Sequence, residues 1–198
     1  MKKAKQHCDL VVIGASAGGV LALRGLLEAL PERLEAAVLI AMHIGEGRTS
    51  ILAEALQRFT SMPIADAVDG ERLELGRLYV AIADNQLTVE PGIVRVLPMP
   101  KEGPYRPCID TLFRSAAAVY GKRVVGVVLS GMLSDGTAGL VHITEGGGIT
   151  VVQDPAEAKE SSMPENAIIG DHVQYRLPVR DIAHLLVKLT GGSPDSLR

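Results

Sequence analysis

The 198-residue chain has no tryptophan, two phenylalanines and four tyrosines, so aromatics make up only 3% of it. With apolar residues at 47%, the core must be assembled from Val, Ile, Leu and Ala, as buried parallel sheets usually are. Cysteine is scarce as well. Cys8 and Cys108 fit no metal spacing, and reduced thiols in a cytoplasmic protein are the expectation. No apolar run approaches the roughly 20 residues that span a bilayer, which argues against membrane insertion. The opening "MKKAK" is followed by polar "QHCD", not by the apolar core of a secretory signal. Neither sign of charge dominates: 20 Lys and Arg against 23 Asp and Glu leave −3, and no basic footprint for nucleic acid stands out. The H-x-x-x-H and H-E-x-x-H metal spacings are missing, and so is the Gly-Lys-Ser/Thr of a phosphate loop.

What remains is length enough for one substantial core, and a pattern of short apolar runs alternating with segments of helical period. That pattern predicts an α/β fold with a mostly parallel sheet. The clearest strands are Leu10–Ile13, Ala37–Ala41, Val124–Leu129 and Ile149–Val152. Helices are expected over Val20–Leu30, Thr49–Phe59, Ile109–Tyr120, Thr137–Glu145 and Val179–Leu189, with Pro31 ending the first. Between them, Arg77–Leu97 reads as an antiparallel hairpin unit at one edge of the sheet, punctuated by Asp84-Asn85 and Pro91-Gly92. "PMPKEGPYRP" reads as a surface loop and the closing "GGSPDSLR" as a frayed end. One domain over 1–198 is the expectation.

Three loops carry candidate chemistry. Gly14-Ala15-Ser16-Ala17-Gly18 matches G-x-S-x-G between a strand and a helix, where small flanks allow a sharp turn and the helix N-terminus favours an anion. The same features suit a bound phosphate or a merely compact turn. A serine nucleophile needs an imidazole base and a carboxylate behind it. His43 lies just past the second strand, and Asp135 lies in the Gly-bounded loop "SGMLSDGTAGL" after a later one. Loops leaving the carboxyl ends of parallel strands gather at one rim, so strand direction alone brings Ser16, His43 and Asp135 to the same side. Asp135 reads equally as the N-cap of the following helix, and Asp110 as a cap of its own. Asp154, before Pro155, reads as a turn former.

The blocks "VVIGASAGGVLAL", "AMHIGEG", "DGERLELGRLYVAIADNQL", "RPCIDTLFRSAA", "GVVLSGMLSDGTAGL" and "SMPENAI" occur in an order that resembles the catalytic domain of the chemotaxis protein-glutamate methylesterase (CheB) family, over nearly the whole chain. The resemblance implies a doubly wound, Rossmann-like sheet and a Ser-His-Asp triad of Ser16, His43 and Asp135. It also implies hydrolysis of glutamate methyl esters on chemoreceptor-type proteins in the cytoplasm, with deamidation of receptor glutamines as a second activity. On that mechanism no metal or organic cofactor is required. Ala17, His43 and Met132 are the candidate oxyanion donors through their backbone N–H groups. Arg106 and Met132 are candidate substrate contacts, with a surface salt bridge and simple packing as their ordinary readings. No receiver domain is expected within 1–198. Departures from the family pattern cluster around the site: Met42 stands for a glutamine, Ala17 for a frequent threonine, and Ser162 for a glycine. A non-catalytic scaffold in a chemosensory pathway is the competing reading.

Overall fold

The computed structural model describes residues 7–43, 51–98, 100 and 105–191. Its centre is β1 (Leu10–Ala15), flanked in parallel register by β2 (Ala37–Met42) and β7 (Val124–Val128). Beyond β2 lie β4 (Leu78–Val80) and then β3 (Ile64–Asp66). Beyond β7 lie β8 (Ile149–Gln153) and β9 (Tyr175–Leu177), all parallel. The strand order is therefore β3-β4-β2-β1-β7-β8-β9. From β1 the chain first builds outward through β2, then returns to the centre and builds the other way from β7. Such a reversal opens a crevice at the carboxyl ends of β1 and β7.

Successive residues of each strand face opposite layers, and both layers are dry. Val11, Ile13, Val38, Ile40, Val125 and Val127 face α1 (Gly19–Ala29), α2 (Leu52–Gln57) and α6 (Val179–Leu189), meeting Leu23, Leu26, Ile182 and Leu186. On the other face, Leu10, Val12, Leu39 and Val128 meet Leu112 and Phe113 of α3 (Ile109–Tyr120) and Leu140 and Ile143 of α4 (Thr137–Glu145). The expected α/β class with its parallel sheet is thus what the chain adopts, and the four expected strands and five expected helices are all present. Leu30, ahead of Pro31, adopts extended backbone at φ −78°, ψ 151°, and α1 stops there. For the helix expected over Thr49–Phe59, Thr49 and Ser50 lie outside the described residues, as do "MKKAK", half of "PMPKEGPYRP" and most of "GGSPDSLR".

The expected hairpin unit over Arg77–Leu97 needs dividing. Leu78–Val80 joins the parallel sheet as β4, because Leu78, Tyr79 and Val80 are wholly buried between β2 and β3. The hairpin proper is β5 (Gln86–Glu90) with β6 (Ile93–Leu97), turning at Pro91-Gly92, where Gly92 takes a left-handed φ of 75°. It forms a separate two-stranded sheet lying on α3, not an extension of the sheet edge. Leu87, Val89 and Val94 share the apolar layer of Phe113, and the Val89 N–H donates to Ser115 Oγ at 3.2 Å. Three short elements had no visible periodicity: β3, β9 and α5 (Ser162–Ala167).

Candidate active site

Ser16 follows β1 directly. Its N–H donates to the Ser130 carbonyl at 3.0 Å and its carbonyl accepts the Gly19 N–H at 2.8 Å, which closes the turn into α1. The small residues are needed for space. A Cβ on Gly14 would run into the Ile109 side chain, and one on Gly18 would lie 2.5 Å from Ser130 Oγ and 2.8 Å from Lys159 Cβ. Gly18 also takes φ 74° and leaves α1 without a side-chain cap. Among the described residues, the N–H groups of Ala17 and Gly18 meet no protein acceptor.

His43 leaves β2 and is held by its own N–H, which donates to the Ala15 carbonyl at 3.2 Å. Its Nδ1 lies 3.0 Å from Ser16 Oγ and its Nε2 2.7 Å from Asp135 Oδ2. With Asp135 ionised, the proton on Nε2 donates to the carboxylate, and the Nδ1 lone pair is left to accept the Ser16 hydroxyl. Tyr105 stacks on the imidazole, ring centres 3.6 Å apart and planes within 7°. Both side chains of this hydrogen bond are shielded, His43 at 8% and Asp135 at 7% exposure, so the contact is strengthened by low local dielectric.

Asp135 is not the N-cap of α4; that position is Gly136, at φ 98°. Its carboxylate instead receives the N-terminus of α3: Ile109 N–H at 2.8 Å on Oδ2, Asp110 N–H at 2.9 Å on Oδ1. The Cys108 thiol adds a donor at 3.3 Å. Burial pushes the Asp135 carboxyl upward, but the hydrogen bonds from His43, Ile109 and Asp110 outweigh it and hold the group below the ordinary aspartate range. Burial above all, with help from the Asp135 charge, raises the Cys108 thiol to about 11 and keeps it a donor. Asp110 likewise does not cap its own helix. Its Oδ1 accepts Gly136 N–H at 2.9 Å and Gly139 N–H at 2.6 Å, across on α4.

The remaining candidates fall out unevenly. The His43 N–H cannot serve an oxyanion in this arrangement, because the Ala15 carbonyl already holds it. Met132 is half exposed at the rim, and its N–H meets no acceptor among the described residues. It follows Gly131, where a Cβ would lie 2.9 Å from Ser16 Cβ. Arg106 makes the salt-bridge contact, 3.6 Å from Asp84. Asp154 accepts Arg176 at 2.7 Å and the Ala156 N–H at 3.1 Å, the behaviour of a turn former. His142 and His184 pair with Glu145 and Asp181 on exposed helix faces, away from Ser16. Tyr105, Cys108 and the crossed bonds of Asp110 were not anticipated. The one available signal was an aromatic residue in a loop of a chain with almost none. A cavity of about 220 Å³ borders Gly18, Leu21, Ser130 and Lys159 beside the serine turn. A larger one of about 310 Å³, lined by Asp9, Tyr120 and Arg123, opens at the amino ends of the strands and touches none of the three residues.

A serine, an imidazole and a carboxylate in one hydrogen-bonded line, at the switch point of a doubly wound sheet, define an α/β protein with a serine-hydrolase type of site. The family model for CheB methylesterase matches residues 11–186, and the chain belongs to that family. It is 37% identical over 185 residues to protein-glutamate methylesterase/protein-glutamine glutaminase 3 of Paramagnetospirillum magneticum, covering 93% of this chain and 52% of that protein. A putative protein-glutamate methylesterase/protein-glutamine glutaminase of Leptospira interrogans is 35% identical over 182 residues, covering 91% and 94%. The chain thus spans about half the length of the first relative and nearly all of the second. The crystal structure of the Thermotoga maritima CheB methylesterase catalytic domain superimposes with a TM-score of 0.86 at 30% identity, over 92% of this chain and 98% of that one.

Proposed function

We propose that this chain hydrolyses glutamate methyl esters on chemoreceptor-type proteins in the cytoplasm, and deamidates glutamines at the same centre, through Ser16, His43 and Asp135. Residues 1–198 act on this reading as one catalytic domain. The observation that carries it is the unbroken line Ser16 Oγ, His43 Nδ1, His43 Nε2, Asp135 Oδ2, with contacts of 3.0 and 2.7 Å.

In the acylation step the Ser16 hydroxyl attacks the ester carbonyl while its proton passes to His43 Nδ1. Asp135 holds the proton on Nε2 and stabilises the imidazolium. Negative charge develops on the carbonyl oxygen, and the N–H groups of Ala17 and Met132 receive it, aided by the positive end of α1. Collapse of the tetrahedral species breaks the bond to methoxide, which leaves as methanol with the proton from Nδ1. Water then attacks the glutamyl-serine ester, giving its proton to His43. Release of the free glutamate returns the hydroxyl to Ser16. For a glutamine side chain the leaving group is ammonia. Met132 and Leu133, both half exposed, form an apolar lip for the protein surface that presents the ester.

The test is methanol release from methylated chemoreceptor membranes. Ser16→Ala should lower turnover by about 10⁴-fold or more while the fold persists. Undiminished release by that variant would refute the proposal. No release by the unmutated chain, with binding to the receptor retained, would instead favour a scaffold.

A further inference from the structure

Two carboxylates are exchanged between two helices at the rim. Asp135, which precedes α4, is bonded to the N-terminus of α3. Asp110, in the first turn of α3, is bonded to the N-terminus of α4. The exchange works only because α4 begins with glycines. A Cβ on Gly136 would press on Ile109 and Val128, and one on Gly139 would run into Phe113 and Asp110 itself. The two helices therefore meet backbone to side chain at the point where the Asp135 loop is anchored. Asp110 is partly buried, and nothing in the mechanism above requires a second acid there. A carboxylate that served α4 alone could sit on α4, at its own cap. Placed on α3, it ties the loop carrying Asp135 to the helix whose N–H groups bind Asp135.

We propose that Asp110 is a positioning residue of the catalytic centre: through the N–H groups of Gly136 and Gly139 it fixes the Asp135 loop against α3. This rests on the triad reading above. Burial, and then the charge of Asp135, raise the Asp110 carboxyl, so the pair carries two charges at a real electrostatic cost. Among the described residues, the titratable groups that touch Asp135 are His43 after β2 and the Cys108 thiol before α3, with Tyr105 stacked on the imidazole, and Arg114 follows Asp110 by one turn of α3.

The experiment separates this proposal from the function it rests on by reading Ser16 without a methyl ester. The rate of Ser16 labelling by an organophosphonyl fluoride is measured for the unmutated chain, Asp110→Asn and Asp110→Ala. Asn keeps an acceptor oxygen for both N–H groups and loses only the charge. Its labelling should stay within about tenfold of the unmutated rate, because both N–H groups keep their acceptor. Ala loses both bonds and frees the loop, and labelling should fall on the order of 100-fold, the cost of about 1 Å of misplacement. With a small soluble ester, the Ala defect should appear in kcat and not in KM. An Asn variant as defective as the Ala variant would show that the two hydrogen bonds are not what Asp110 supplies, and that result would overturn the proposal. An Ala variant labelling at the unmutated rate would overturn it as well. If the unmutated chain labels normally yet releases no methanol from receptors, the functional reading fails and this one stands.

Discussion

Of the helices that begin at the carboxyl ends of the strands, α1, α3 and α4 surround the Ser16, His43 and Asp135 cluster, and they are treated differently. The N-termini of α3 and α4 are filled by the chain's own carboxylates, Asp135 and Asp110. The N-terminus of α1 is left open: its cap is Gly18, with no side-chain bond and no acid in the first turn. All three carry the same partial positive charge and the same unpaired N–H groups. The first two, filled permanently, build a rigid support for His43. On the proposed mechanism the third, beside Ser16, takes up negative charge that exists only during the reaction. Rigidity and vacancy are thus made from one physical resource, divided by where an aspartate stands.

The most severe way to break this division is to take the charge away from the N-terminus of α3. Asp135→Asn should lower turnover by about 10⁴-fold, since the amide can hold the imidazole in the wrong tautomer and cannot stabilise its cation; steady-state methanol release measures this. Closing the open end comes next. Gly18→Ala places a Cβ at φ 74° against Ser130 and Lys159, which must shift the turn carrying the Ala17 N–H. Turnover should fall on the order of 100-fold with the triad intact, since one oxyanion donor is displaced.

Acid sharpens the contrast between the two filled ends. Asp135 sits below the ordinary aspartate range when folded, so its contribution to stability is fully present above about 4 and is lost as pH falls through its folded-state value. Asp110 is raised, so the sign reverses: its ionised form opposes folding, and that cost appears as pH rises through its folded-state value. Thermal unfolding at neutral pH should therefore show Asp135→Asn destabilised and Asp110→Asn as stable as the unmutated chain, or more so. The two melting curves should draw together as the pH drops below the ordinary aspartate range. The smallest effect belongs to Arg106→Ala. Its pairing with Asp84 at 3.6 Å is a surface contact worth about 1 kcal/mol or less, readable as a slight shift in a denaturant midpoint.

Much of this was readable in the order of residues. The runs around Val11, Leu39, Val125 and Val151 are continuous and apolar because both faces of a parallel strand are buried, and they announced the sheet without ambiguity. Strand direction then put Ser16, His43 and Asp135 on one rim. Three-residue strands such as Ile64–Asp66 and Tyr175–Leu177 are too short to show a period, and Leu78–Val80 was absorbed into the hairpin beside it. Asp135 and Asp110 each stand where a cap belongs, and the cap of the nearer helix is the ordinary reading of both, beside the triad role of Asp135. Local spacing holds no information about a partner 25 residues away, as in the bond between Asp110 N–H and Asp135. The same holds for Tyr105 on His43, and for the His43 N–H, which the Ala15 carbonyl claims through sheet register.

Hydrophobic pattern and chain direction, both local properties, dictated the α/β class and the side of the sheet where chemistry would lie. Packing settled the rest: which helix end each aspartate neutralises, which N–H groups stay vacant, and what covers the imidazole. Those choices turn on distances of a few tenths of an ångström between segments remote in sequence, and such distances exist only once the layers have closed.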